Sequence, residues 1–151
     1  MTRNNAREIA VHFSFELGFS NLSADELLEQ SLTKECFALL GEEEPLYAEF
    51  PNEKQKNYII DLVRGVFEHG AELDTYIEKY AVGWKFSRID RVAAAIMRVT
   101  MFEILYLPDI PNRVAINEAI EIAKRYEDED VVKFINGILG SFVRDEFPEE
   151  N

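Results

Sequence analysis

The sequence predicts an all-α protein, a compact bundle of about seven helices in two packed halves. Three observations carry that reading. Apolar residues recur three or four positions apart along almost the whole chain, and the alternating pattern of a half-buried strand is almost absent. The five prolines stand at apparent turns or ends, outside the periodic runs. Capping residues stand where those runs begin. With 151 residues, 47% of them apolar, the chain suits a single domain. A loose division near Gly83 separates an N-terminal half, 1–83, from a C-terminal half, 84–147, and an acidic tail at 148–151 closes the sequence.

The first helix is TRNNAREIAVHFSFELGF, from Thr2 to Phe19. Ala6, Ile9, Ala10, Phe13 and Leu17 share one stripe of it. Phe15 lies about half a turn from Phe13, beside Val11, His12 and Phe19, and gives the helix a second apolar face. Such a patch prefers cover, from a neighbouring helix or from a partner. Ser23-Ala24-Asp25-Glu26 has the form of a capping box and starts a second helix that runs towards Leu40. Gly41 to Pro45 and Pro51-Asn52 read as loops.

A long third helix buries Ile59, Leu62, Val63 and Val66. Gly70 interrupts, and LDTYIEKYAV makes a short fourth helix ending near Gly83. Ser87-Arg88-Ile89-Asp90 starts a fifth, with Ser87 as its cap. Its run VAAAIMRVTMFEILYL is dense in apolar and small residues, as in a central helix covered on several sides. Pro108 stops it, and PDIP is a rigid turn. The sixth helix begins close to Pro111 and turns Ala115, Ala119, Ile122 and Tyr126 to one side. The seventh runs from about Asp130 to Glu146 with Val131, Ile135, Ile138 and Phe142 inward.

Charge and composition narrow the function. Sixteen Lys and Arg face twenty-nine Asp and Glu, a formal net charge of -13. A free-standing nucleic-acid binder is usually basic, because phosphate contacts supply most of its affinity. The acid is clustered at Glu42–Glu44, at Glu127–Asp130 and in the tail, where it solvates loops or attracts a basic partner. Cys36, in LTKECFALL, reads as a small buried hydrophobe and has no second cysteine to pair with. Two histidines and one cysteine make no convincing metal-ligand set. There is no Gly-rich phosphate loop, no His-Glu-x-x-His, and no nucleophile with a recognisable base. The expectation is a protein that is not an enzyme and takes no cofactor. No apolar run approaches a membrane span and no secretory leader opens the chain, so the expected place is the cytoplasm, with no membrane partner.

Two stretches are more specific, IPNRVAINEAIEIAKRY and KFINGILG. Asn117 lies away from the apolar side of its helix, near Glu121 and Lys124. Asn136 borders the last helix's apolar stripe, and Gly137 opens a gap on its polar side. A glycine inside a helix costs about 1 kcal/mol against alanine. It is kept where helices pack tightly or where a ligand approaches the backbone. Phe134 beside Lys133 suits a stacked base over a phosphate contact.

The sequence resembles the NusB family of bacterial antitermination factors over nearly its whole length. The resemblance is carried by the arginine-bearing Ala6-Arg7-Glu8-Ile9-Ala10, the central AIMRVTMFEIL, then IPNRVAINEAIEIAK and KFINGIL. It implies an all-helical protein that binds boxA-like RNA together with NusE, a small-subunit ribosomal protein, within the RNA polymerase antitermination complex, and that assists ribosomal RNA maturation. It implies RNA contacts at Arg3, Arg7, Lys133 and Phe134, with Asp130 as an acidic modulator of that surface. It implies a NusE contact at Phe15, with Val11 and Phe19 beside it, and at Ala93. Two departures stand out: Asn4 and Asn5 occupy the arginine cluster, and Ala93 replaces an acid. They favour a rival reading, a protein–protein adaptor of the same fold that has lost most direct RNA binding. RNA methyltransferases with a related N-terminal domain are a third relation; here the sequence ends soon after Phe147 and shows no donor-binding motif.

Overall fold

The computed structural model describes residues 1–84 and 88–150. Among them are eight α-helices and no strand. They are α1 (Arg3–Leu17), α2 (Ala24–Ser31), α3 (Lys34–Leu40), α4 (Glu53–Glu68), α5 (Gly70–Tyr80), α6 (Arg91–Tyr106), α7 (Asn112–Tyr126) and α8 (Glu129–Glu146). They gather into two compact units, Met1–Glu68 and His69–Asn151. No helix among the described residues is long and apolar enough to cross a membrane.

In the first unit, Thr2 caps α1 by accepting the Asn5 backbone N–H at 3.0 Å. α1 lies along α4, and α2 packs against both. Ile9, Ala10 and Phe13 of α1 and Ile59, Leu62 and Val63 of α4 are buried. The capping box at α2 is complete: Ser23 Oγ accepts the Glu26 N–H at 3.2 Å, and Glu26 Oε1 accepts the Ser23 N–H at 2.9 Å. The single helix expected from Ser23 to Leu40 is instead two. Thr33 adopts an extended backbone and caps α3, taking the Cys36 N–H at 3.1 Å. A threonine hydroxyl that competes for helix amides breaks the run there. Cys36 is half-buried rather than buried. Gly41 follows α3 in tight quarters: a Cβ there would lie 2.9 Å from the carbonyl oxygens of both Phe37 and Tyr47.

In the second unit α5 packs on α6 and α8 through Leu73, Ile77 and Tyr80. The boundary therefore falls at 68/69 and not near Gly83, and α5 joins the C-terminal helices. Eleven of the sixteen residues of α6 are buried. Its cap is Asp90, whose carboxylate accepts the N–H groups of Val92 at 2.7 Å and Ala93 at 3.4 Å. Ser87, the expected cap, lies outside the described residues. α7 buries Ala115, Ala119 and Ile122, but Tyr126 is exposed and Ala123 takes the inward place. α8 is capped by Asp128 and buries Ile135, Ile138, Leu139 and Phe142; Val131 is half-buried. At its end, Glu146 accepts hydrogen bonds from Lys79 Nζ at 2.8 Å and from the Tyr80 hydroxyl, tying α8 to α5.

Candidate nucleic-acid interface

The first turns of α8 carry the cation and the aromatic that the sequence singles out. Asp128 fixes where the helix starts, accepting the Val131 N–H at 3.0 Å. Lys133 then projects from the exposed face and Phe134 is half-buried beside it. Lys133 Nζ lies 3.6 Å from Glu129 Oε1, one turn earlier on the same face. An exposed pair of this kind is worth at most about 1 kcal/mol, so the ammonium can be drawn to a phosphate. Asp130 is exposed one turn before Phe134.

Phe134 has a partner that the sequence reading missed. The Trp84 ring lies 4.9 Å from it, centroid to centroid, tilted by 57°. Trp84 is placed by a turn: Gly83 has a φ of +83°, and the Trp84 N–H bonds the Ala81 carbonyl at 3.1 Å. The indole nonetheless remains 58% exposed. The clue in the sequence is Val82-Gly83-Trp84, a large aromatic placed just past a helix end and a glycine.

Two open hollows along α7 and α8 share Asn117 and Asn136 in their walls. One of about 730 Å³ adds Arg113 and Gly140; the other, of about 520 Å³, adds Lys124 and Lys133. A Cβ built on Gly137 or Gly140 meets nothing within 4 Å. Of the two readings of Gly137, tight packing is therefore removed and an open backbone surface is left.

The α1 residues divide. Arg3 is exposed with no partner among the described residues. Arg7 is fully buried: Nη1 donates to Asn4 Oδ1 at 2.8 Å, and the guanidinium lies 6.0 Å from the centre of the Tyr58 ring. It thus helps hold the fold and offers no surface charge to RNA, contrary to expectation. The cause is visible on the helix: Arg7, Val11 and Ser14 fall on one face, and all three are buried. Val11 consequently leaves the expected partner patch. Phe15 is half-buried with its ring 4.9 Å from that of Phe19, and Phe19 is 60% exposed. Ala93 is fully buried, so its side chain meets no partner. Burial holds the neighbouring His12 imidazole below its ordinary pKa, so it adds no charge to this helix near neutrality.

A model of the NusB family matches residues 4–144. The chain belongs to the NusB family. Among its relatives, the transcription antitermination protein NusB of Acetivibrio thermocellus is 41% identical over 95% of this chain and 90% of that protein. The NusB of Bacillus subtilis is 37% identical over 96% and 97%. NusB is an antitermination factor and not an enzyme. The fold agrees. T. maritima NusB superposes with a TM-score of 0.72 at 27% identity, over 99% of this chain and 96% of that one. A NusB solved with NusE and double-stranded RNA has the same fold, with a TM-score of 0.75 at 22% identity over 95% and 96%.

Proposed function

We propose that this NusB-family antitermination protein works in the cytoplasm by holding boxA-like RNA together with NusE, as part of the RNA polymerase antitermination complex and in ribosomal RNA maturation. The exposed Lys133 beside the half-buried Phe134, open to solvent at the start of α8, is the observation that carries the RNA contact. Arg3 offers a second cation, on the other compact unit. NusE takes the Phe15–Phe19 pair, where an exposed ring is already ordered against its neighbour. Support for the pairing of partners comes from the NusB solved with NusE and RNA. Each partner raises the local concentration of the other, which compensates for the weak phosphate attraction of a chain with net charge -13.

The burial of Arg7 favours the rival, an adaptor that keeps NusE and has lost most direct RNA binding. Filter binding of boxA-like RNA with and without NusE separates the two. Weak retention alone and strong retention with NusE supports joint binding. Retention equal to that of NusE by itself leaves the adaptor. Phe19→Asp should weaken NusE binding at least about tenfold by placing a charge in an apolar contact, with the melting temperature unchanged.

A further inference from the structure

We infer that Trp84 is a base-stacking residue: it and Phe134 form an aromatic platform that holds one nucleobase of the bound RNA. This deepens the reading of the α8 start as an RNA contact and rests on it. Trp84 is the only tryptophan of the chain, and more than half of its surface is in water. It is also not loose. The Gly83 turn and the Trp84–Ala81 hydrogen bond set its backbone, and the Phe134 ring supports one side of the indole. An ordered, one-sided aromatic is what stacking on a flat ring requires.

The charge around it selects the kind of ligand contact. Glu127, Asp128, Glu129 and Asp130 lead into α8, and Lys133, beside Phe134, lies 3.6 Å from Glu129. The acids oppose phosphate here, so the one contact that Lys133 can make supplies only part of the hold on RNA. Stacking does not depend on charge, and every base has a face to offer. Gly137, one turn beyond Phe134, has open space above it, so a sugar–phosphate chain can approach the helix backbone there.

The single tryptophan makes the test direct. The protein is titrated with a boxA-like single-stranded RNA oligonucleotide in the presence of NusE, and indole emission is followed beside the anisotropy of labelled RNA. Trp84→Phe, which has no indole, supplies the blank for NusE. Emission quenched along the same curve as the anisotropy is expected. Trp84→Ala should lose affinity by about tenfold with the slope against log salt unchanged, since no phosphate contact is removed, and Trp84→Phe should recover most of it. RNA that binds with unaltered emission and equal affinity for Trp84→Ala overturns the inference and leaves the RNA reading intact. Emission that changes on adding NusE alone makes Trp84 a protein anchor and overturns it as well. No binding of RNA even with NusE removes the RNA reading, and this inference with it.

Discussion

Arg7 and Gly137 show at single positions what burial decides. The Arg7 guanidinium is closed off from water and held by Asn4, so its removal leaves polar groups unmatched inside the protein. Arg7→Ala should cost about 3 kcal/mol, read as a lower urea midpoint, while Arg3→Ala should leave the midpoint where it is. Gly137 is a helix-interior glycine with free space over it, so Gly137→Ala should raise stability by about 1 kcal/mol in the same assay. Gly41→Ala should lower it, because the new methyl would meet two backbone carbonyls that cannot move aside. The sequence made the stripe of Ala6, Ile9, Ala10 and Phe13 legible. It hid the adjoining face of Arg7, Val11 and Ser14, because an arginine and a serine read as solvent residues whatever covers them. Asn4 was hidden for a related reason. It reads as a missing arginine and serves as the partner of one.

The helices were legible where a side chain marks their start. Ser23 with Glu26 announces α2, and Pro108 ends α6 as a proline must. The break between α2 and α3 was not, since one threonine decides it and apolar spacing continues across the gap. Trp84 escaped because it belongs to no periodic run, and its meeting with Phe134 is a long-range contact. Where α7 gives way to α8, three acids crowd together. Asp90 caps α6, Asp128 caps α8, and Glu127 lies between the ends of α7 and α8. Burial first, then a hydrogen bond with Asp90 and the charges of Asp90 and Asp128, push the Glu127 carboxyl up to about 7. The folded chain thus keeps a proton that the unfolded chain releases near its ordinary value of 4.5. The stability this proton confers is complete at acid pH and is lost as pH rises through about 7. Glu127→Gln should melt with the original protein near about pH 5 and above it near about pH 8.

Over the whole molecule, net charge and the number of exposed cations set how binding responds to salt. Each phosphate neutralised on a single strand contributes about 0.7 to the slope of log affinity against log salt. With Arg7 buried, Arg3 and Lys133 remain as candidates, and replacing either by Ala should flatten the slope by about 0.7. Asn5→Arg should steepen it by about the same amount, and it tests the first turn of α1 without disturbing the Asn4–Arg7 bond. Slopes that do not move for changes at 3 or 5 would confine the RNA contact to α8. The all-helical class and the order of helices follow from periodicity, which is local. The boundary between the two units does not, because the apolar face of α5 could be satisfied from either side and only the folded chain shows that α6 and α8 take it.

The burial of α6 also sets a clock. A helix with eleven of sixteen residues covered has no route by which single turns can open to water, so its amide protons exchange with deuterium only when the surrounding structure comes apart. α3 buries Phe37 alone and can fray by itself. In a deuterium pulse series followed by mass spectrometry, peptides from α3 should label early, and those from α6 last and together. The rate for α6 would then measure how often the molecule as a whole opens.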